Sequence, residues 1–257
     1  MRLRSITKHV RDQNWFAVVL DFFIVVIGVF IGLQVSNWNS VRQQDQTAKV
    51  YIERIHQDLV INQDDLTQRM VYFSQVRTHA LGALEGLDRP QETLSLPFLI
   101  DIYQASQHLR RELGRDTYDE ILSAGANNTI SDVAVRKRLA NFYRSIQAAI
   151  VTTKDATPYR ERIRTYMPYS AQAAIRNVCN DIISTSPTGE PNIKLPENCE
   201  PVLSADEITH AVGKIISIDI RNDLVRRISD LDGKLIAFEL MRGRAALLDE
   251  YIKDIQK

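Results

Sequence analysis

An unbroken apolar run near the N-terminus is the feature that most constrains how this 257-residue chain can fold. The run extends from Phe16 to Leu33, and Asp21 is its only charged residue. Counted from Trp15 to Trp38 it has about 24 residues, or roughly 36 Å of helix, against a hydrocarbon core of roughly 30 Å. Tryptophan rings favour the interfaces of a bilayer, which is where these two residues would lie. The run therefore predicts a transmembrane helix over residues 15–38 rather than a buried core helix.

The length of the run indicates an anchor that stays attached to the mature protein. A cleaved signal peptide has an apolar region of roughly 7–15 residues, followed by small residues at the cleavage site. The run is longer than that, and residues 34–38 (Gln-Val-Ser-Asn-Trp) offer no such site. We therefore expect an uncleaved signal anchor.

The charges on either side of the span predict its orientation. One acid, Asp12, and four basic residues precede the span: Arg2, Arg4, Lys8 and Arg11. After the span, Arg42 and Lys49 are diluted by Asp45. Because positive residues stay in the cytoplasm, residues 1–14 are expected to form a cytoplasmic basic tail. Residues 39–257 then form an exported domain, which in a bacterium lies in the periplasm.

The composition narrows the fold class and the classes of partner. Lys+Arg and Asp+Glu both number 32, and this zero net charge argues against nucleic acid as the main partner. The chain has only 10 Gly and 8 Pro, which disfavours an all-β fold. Hydrophobic residues make up 44%, which is too many for a disordered chain. An all-α protein is expected.

Two long helices are predicted in the exported part. From Asn39 to about Leu87 the chain has no proline, and apolar or small residues recur at alternating spacings of three and four: Ala48, Ile52, Ile55, Leu59, Leu66, Phe73, Val76, Ala80, Ala83 and Leu87. A second stripe of this period runs from about Asp219 to Ile255: Leu224, Ile228, Leu231, Leu235, Phe238, Met241, Ala245, Leu248, Ile252 and Ile255.

These two amphipathic helices are expected to cover each other's apolar faces in an elongated antiparallel bundle. Nothing between Trp38 and Val50 breaks a helix, so the transmembrane helix is expected to continue into the first of them. Antiparallel packing would bring the C-terminus back towards the membrane. The helices in the middle of the chain would form a cap at the distal end or a third layer.

Capping patterns predict where the shorter helices begin. Ser95 is expected to cap a helix that ends near Leu113, and Thr117-x-x-Glu120 to form a capping box. Ser131 is expected to cap the next helix.

Further along the chain, Pro158 kinks or restarts a helix and Pro168 ends it. Another short helix is expected over about Ala171 to Ile183. Ser204-x-x-Glu207 forms a second predicted capping box.

The two cysteines, Cys179 and Cys199, both fall in the exported part, where the compartment is oxidising. Prolines and a glycine between them mark a long loop. We expect a disulfide bond that closes this loop, with two separate buried thiols as the alternative. Closing a loop of roughly 20 residues contributes about 3 kcal/mol in the chain-entropy model.

Two stretches resemble a family of uncharacterised bacterial single-span inner-membrane proteins. The first is VVIGVFIGLQVSNWN, Val25 to Asn39, and the second is TYDEILSAG, Thr117 to Gly125, followed by Ile130-Ser131-Asp132. Together they cover about a tenth of the chain. The resemblance implies a bacterial inner-membrane location and brings no catalytic residues.

Chemistry-bearing patterns are few. The sequence has no P-loop, GxSxG, HExxH or GxGxxG motif. Two Glu-x-x-His pairs, Glu53/His56 and Glu207/His210, have the spacing that di-metal helical bundles use, because side chains at i and i+3 share a helix face. No second pair of inward-facing glutamates accompanies them, and solvated helix faces are the favoured interpretation. We expect no metal, no cofactor and no catalytic residues.

One face of the span carries the sharper site hypothesis. On a helix, Asp21, Val25, Gly28, Gly32 and Ser36 fall on one side. Gly-x-x-x-Gly lets two helix backbones approach closely in lipid, and an ionisable group in a bilayer is usually functional. We expect this face to contact a second copy or another membrane protein. The alternative is that Asp21 lies close enough to the cytoplasmic surface to contact headgroups or water.

Three function classes follow from these features. The first is a non-enzymatic scaffold, adaptor or sensor, anchored in the membrane and assembled as a homo-oligomer or in a larger complex. The second is a single-span subunit of an ion-driven membrane machine that uses Asp21. A metal-binding helical-bundle enzyme is the third. The bilayer and a membrane-protein partner are the expected contacts in the first two.

Overall fold

The computed structural model describes residues 15–152 and 158–255. In these ranges the chain forms eight α-helices and one two-stranded hairpin: α1 Trp15–Gly86, α2 Leu96–Ala105, α3 Asp116–Ser123, α4 Val133–Thr152, α5 Pro158–Tyr166, α6 Tyr169–Val178, β1 Ile182–Thr185, β2 Pro191–Lys194, α7 Ala205–Ile216 and α8 Arg221–Ile255. Short 3-10 turns cover Gln91–Thr93 and Ala126–Thr129. The all-α class is thus confirmed. The basic tail predicted for residues 1–14 lies outside the described residues.

Helix α1 is one continuous element of 72 residues, or roughly 108 Å. Its first half is uncovered: Phe16 and residues 18–47 are all exposed, and the core begins at Ile52. No proline interrupts it, and the period of its apolar residues persists to the end. The expectation that the apolar helix continues into the first exported helix is confirmed. Its apolar part is long enough to cross a membrane, which makes the chain compatible with a single-pass membrane protein.

Helices α1 and α8 pack side by side and run in opposite directions. Three pairs of interacting side chains record this order: His56 with Asp249, Arg77 with Asp232, and Asp88 with Arg221. As the residue number rises along α1, the number of its partner on α8 falls. The end of α8 therefore returns to the base of the packed domain, next to the uncovered half of α1, where Ile255 lines a groove together with Lys49 and Ile52.

The apolar stripes predicted for both helices form the core of this pair. On α8 the buried members of the stripe are Leu224, Leu231, Phe238, Met241, Ala245, Leu248 and Ile252. Phe238 meets Phe73 of α1 with ring centroids 5.7 Å apart. The last residue of the predicted stripe, Ile255, is 44% exposed, because the helix ends there beside the open groove.

Helix α2 lies against the distal end of α1, and two glycines of α1 make the close approach possible. A Cβ atom at Gly82 would lie 2.5 Å from a carboxylate oxygen of Asp101. A Cβ atom at Gly86 would lie 2.5 Å from the ring of Phe98, which is buried.

Helix α5 also lies at this end, where Arg162 pairs with Asp223 of α8. Helices α3 and α4 instead lie beside the α1–α8 pair nearer its base, since Glu120 binds Arg54 and Arg138 stacks on Tyr251. The middle helices thus combine the predicted cap with the predicted third layer.

Two of the predicted helix signals in this part of the chain are wrong. Helix α2 begins directly after Ser95 as predicted, although the Ser95 side chain makes no capping hydrogen bond, but it ends at Ala105 rather than near Leu113. Thr117 is buried inside the first turn of α3 and forms no capping box with Glu120. Both residues instead bind side chains of α1, so the local pattern does not decide their positions.

The start of α4 is set by the residue after the predicted one. The carboxylate of Asp132 accepts hydrogen bonds from the backbone N–H groups of Ala134 and Val135, at 2.6 and 3.3 Å. Ser131 is exposed and makes no cap. The box of Ser204 and Glu207, in contrast, is present with both of its hydrogen bonds, and that prediction is confirmed.

The loop between the cysteines is ordered as a hairpin. Cys179 and Cys199 form the predicted disulfide, with their Cα atoms 5.2 Å apart. Strands β1 and β2 inside the loop pair antiparallel, so the helix predicted to reach Ile183 ends at Val178 instead. The turn between the strands contains Gly189 at a φ of 87°, a backbone conformation that side chains other than glycine rarely adopt.

Candidate functional site

The candidate face of the span is fully uncovered in the structure. At about 100° per residue, Asp21, Val25, Gly28, Gly32 and Ser36 fall within an arc of about 80° on α1. All five are exposed, and nothing lies within 4 Å of a Cβ atom built at either glycine. The face is therefore open to a second helix over about four turns. Which partner occupies it stays a prediction.

The C-terminal end of the apolar segment carries an aromatic residue and a base in contact. The guanidinium of Arg42 lies over the ring of Trp38, 5.8 Å from its centroid. Such a pair suits the interface, because the ring favours the headgroup level and the charge remains in water. The side chain of Trp15, the other predicted interfacial residue, lies outside the described part.

The first Glu-x-x-His pair lies on α1 near the base of the packed domain. His56 contacts Asp249 of α8 through its Nδ1 atom and is partly buried. Glu53 accepts a hydrogen bond from Gln57, one turn further along the same helix, at 3.3 Å. The histidine therefore joins α1 to α8, and the glutamate has a partner on its own helix.

The second Glu-x-x-His pair lies on α7 and does not meet the first. Glu207 is held by the Ser204 cap, and the backbone and side-chain hydrogen bonds from Ser204 lower the pKa of Glu207. His210 is exposed on the surface of the same helix, as the solvated-face interpretation expects.

A metal site built from Glu53, His56, Glu207 and His210 is not formed. Among the described residues, no three His, Cys, Asp or Glu side chains are grouped as a metal site would require. The di-metal spacing is therefore misleading here, because it describes residues along one helix and cannot show whether α1 and α7 bring their pairs together. They do not, since His56 contacts Asp249 of α8, whereas α7 presents His210 to solvent.

A buried ionic cluster, which sequence reasoning missed, fixes the hairpin to α1. Asp65 accepts a hydrogen bond from Arg69 at 2.8 Å and forms an ion pair with Arg111 at 2.9 Å. Arg111 in turn binds Glu190, in the hairpin turn, at 2.7 Å. The Asp65 side chain is only 4% exposed. Every charge in the cluster is matched by an opposite one, as the burial of charged groups requires.

Further hydrogen bonds join the same hairpin to α1 beside this cluster. Asp64 accepts a hydrogen bond from the Thr188 hydroxyl at 2.7 Å. Partial burial acts to raise the pKa of Asp64, but the hydrogen bonds from Thr188 and Ser186 outweigh it and lower the pKa. Gln75 also binds both the N–H and the carbonyl of Leu195, at 2.9 and 3.0 Å. The hairpin is thus attached to α1 at several points besides the disulfide.

Three arginines from other helices bind the carboxyl end of α2. Arg227 of α8 donates to the carbonyl oxygens of Ala105 and Gln107, at 3.2 and 2.6 Å. Arg160 of α5 donates to the Ser106 carbonyl at 2.8 Å. These guanidinium groups satisfy the orphan carbonyls and complement the negative end of the helix dipole. They explain why α2 ends at Ala105, which no local signal indicated.

The third arginine, Arg164 of α5, is held by an aromatic ring and a hydroxyl group. Its guanidinium lies 3.4 Å from the centroid of the Tyr103 ring and donates to the Ser106 hydroxyl at 3.1 Å. Burial lowers the pKa of Arg164, and the interaction with Tyr103 opposes that effect. Close by in the fold, burial raises the pKa of Tyr159, whose hydroxyl donates to the Ile102 carbonyl.

No protein-family model matches this chain, and neither a curated protein nor a solved structure shows a significant match.

Proposed function

We propose that this protein is a membrane-anchored, non-enzymatic scaffold, adaptor or sensor. The observation that carries the proposal is α1 itself, because one uninterrupted helix joins an uncovered apolar segment to a packed helical domain. Such a layout holds a domain at a fixed distance from a bilayer. The polar clusters of the domain are matched internally and serve its architecture, as expected of a protein that acts through its surfaces.

The proposed location is the bacterial inner membrane, with a cytoplasmic N-terminus and a periplasmic domain. The excess of basic residues before the span supports this orientation. The bond between Cys179 and Cys199 supports it independently, because disulfides persist in oxidising compartments. The resemblance of residues 25–39 and 117–125 to single-span inner-membrane proteins agrees with both.

We further propose that two copies associate through the face of Asp21, Gly28 and Gly32. In the experiment, Ser36→Cys is introduced on the same face and oxidative crosslinking is measured in native membranes. Gly28→Leu or Gly32→Leu should weaken crosslinking, because a large side chain keeps the two backbones apart. Val26→Leu, on the opposite side of the helix, is the matched control and should leave it unchanged. Unchanged crosslinking in both glycine variants would contradict association through this face.

The role of Asp21 is tested with two substitutions in this background. Asp21→Asn should preserve crosslinking better than Asp21→Leu, because the amide retains hydrogen bonding without the charge. Equal crosslinking of both variants would place Asp21 at the headgroup level instead.

A second candidate is a subunit of an ion-driven membrane machine, favoured by the exposed carboxylate of Asp21 within the apolar segment. Such a subunit works beside a channel-forming partner. Mild extraction of native membranes should then copurify a multi-span protein with the chain, and Asp21→Leu should abolish that association. Copurification of copies of this chain alone would favour the scaffold.

A further inference from the structure

A groove on the exported domain lies between α4 and α8 and belongs to none of the clusters described above. It encloses about 830 Å³. It is lined from α4 by Arg138, Asn141, Phe142, Arg144, Ser145 and Ala148, and from α8 by Ala237, Leu240, Met241, Arg244, Leu247 and Leu248. Along α8 the lining covers about three helical turns, or roughly 18 Å.

The groove has a buried apolar floor and exposed apolar edges. Phe142, Met241 and Leu248 form the floor and are each 4% exposed. Leu240 and Leu247, two helical turns apart on the edge, are 59% and 66% exposed. Large aliphatic side chains at this spacing match the i and i+7 positions that an amphipathic helix presents to a groove.

Its charge is of one sign, although the chain as a whole is neutral. Arg138, Arg144 and Arg244 stand on its two walls and are exposed. Among the described residues, no aspartate or glutamate lines it. Arg138 stacks on Tyr251, 4.1 Å from the ring centroid, which positions its guanidinium on the rim. An apolar floor between basic walls is complementary to an apolar stripe with acidic residues on either side.

The distance of the groove from the proposed membrane favours a protein rather than a lipid as its ligand. Its α8 residues lie between Asp232 and Asp249, whose partners on α1 are Arg77 and His56. His56 follows Trp38 by 18 residues, so the groove begins at least roughly 27 Å of helix beyond the end of the span. An extended lipid chain of the same membrane does not reach that far.

The acidic helix of this chain is itself a poor occupant. Helix α3 carries Asp119 and Glu120, but Arg115 and Arg54 already bind these carboxylates at 2.7 and 2.5 Å. We propose that the groove binds an amphipathic helix of another protein, about three turns long, with an apolar stripe flanked by Asp or Glu. The proposal deepens the scaffold function and rests on it for its biological meaning, since it names the chemistry of the partner.

The test uses the full chain in lipid nanodiscs and two labelled helical peptides of about 15 residues. Both peptides have leucine at i, i+3 and i+7. One has glutamate beside this stripe and the other has lysine at the same positions. Only the glutamate peptide should show saturable binding, and its affinity should fall as salt is raised.

Charge reversal on the protein supplies the decisive comparison. Arg144→Glu together with Arg244→Glu should weaken binding of the glutamate peptide by about tenfold or more, because an exposed ion pair contributes a factor of about 1.5 to 5 and reversal adds repulsion. The same variant should gain binding of the lysine peptide. Arg226→Glu, an exposed arginine of α8 outside the groove, is the matched control and should change neither affinity.

The apolar contribution is tested with Leu240→Asn against Val225→Asn, an exposed residue of the same helix outside the groove. Only the first should lower peptide affinity. Equal binding of the two peptides, or no effect of charge reversal, would overturn the proposal. Efficient crosslinking of Leu240→Cys between two copies in membranes would overturn it in favour of self-association. All these outcomes are independent of the Ser36→Cys assay, so failure of the groove and failure of the span interface are distinguishable.

Discussion

Asp65 and Glu85 of α1 begin two acid–arginine pairs that have the same spacing in the sequence but opposite surroundings. Asp65 pairs with Arg69, and their side chains are 4% and 8% exposed. Glu85 pairs with Arg89, and their side chains are 70% and 58% exposed. Breaking a buried pair leaves an uncompensated charge without water, whereas an exposed pair is screened by solvent.

We therefore expect Asp65→Asn to lower the free energy of unfolding by about 3–5 kcal/mol, because Arg69 and Arg111 both lose their carboxylate. Glu85→Gln, the matched control, should change it by less than about 1 kcal/mol. Urea unfolding of the full chain in detergent, followed by circular dichroism, measures both. Similar values for the two variants would show that the Asp65 cluster is hydrated.

The sequence could not distinguish these two pairs. Each reads as an ordinary i, i+4 pair on a helix surface, and the apolar stripe marks only the neighbouring Leu66 as a core position. What distinguishes Asp65 is a partner from a distant segment, because Arg111 of the α2–α3 connection binds both Asp65 and Glu190 of the hairpin turn. Nearby on the same helix, the buried amide of Asn62 likewise finds its partner in a distant segment, since it donates to the Gly114 carbonyl at 2.8 Å.

At the scale of elements, the long helices were predictable and the short ones were less so. Helices α1 and α8 follow a period that repeats over many turns, and that repetition outweighs any single residue. Helix α2 has ten residues, and its end depends on Arg227 and Arg160 from distant segments. The hairpin was missed because its strands have four residues each, and Ile182 and Ile183 resemble the end of a helix.

Two glycines in these helices should respond to alanine in opposite directions. Gly86→Ala should lower the free energy of unfolding by about 1–3 kcal/mol, because the new methyl group overlaps the buried Phe98 ring. Gly243→Ala lies on an open face of α8 and should raise it by up to about 1 kcal/mol through helix propensity. Thermal or urea unfolding of both variants tests this. Destabilisation by Gly243→Ala would indicate that a partner approaches the backbone there.

The disulfide should stabilise the protein by an amount that the length of the loop it closes determines. Replacing Cys179 and Cys199 by serine should lower the free energy of unfolding by about 3 kcal/mol, the chain-entropy value for a loop of 20 residues. Denaturant unfolding of the double variant gives this value, with the wild-type chain under reducing conditions as its control. Thiol labelling of both cysteines in protein isolated without reductant would contradict a formed bridge.

On the scale of the whole molecule, the fold decides which end of the domain lies nearer the proposed membrane. The antiparallel packing of α8 on α1 puts Ile255 beside Lys49 and Ile52, near the base. The sequence predicted this arrangement, because two apolar stripes of similar length have few other ways to be covered. It could not predict the groove, since α4 reaches α8 only through tertiary packing.

Topology is tested with reporter fusions. A reporter that is active only in the periplasm should be active when fused after residue 45 and also at Lys257, because the basic residues before the span keep the N-terminus inside. A fusion of the same reporter after residue 12 should be inactive and is the control. Activity of cytosol-dependent reporters at both exported positions would reverse the proposed orientation.

Because α1 is continuous, it fixes the rotation of the domain relative to the apolar segment as well as the distance between them. From Trp38 to Thr47 every residue is exposed, so the helix alone preserves the angular relation between the span and the domain. Inserting one residue into this stretch would rotate the domain by about 100° about the helix axis. Inserting seven would nearly restore the original orientation and move the domain roughly 10 Å further along the axis. The orientation of the domain about the helix axis is therefore fixed by the orientation of the proposed membrane segment. A rotation of that segment about its own axis would rotate the whole exported domain by the same angle.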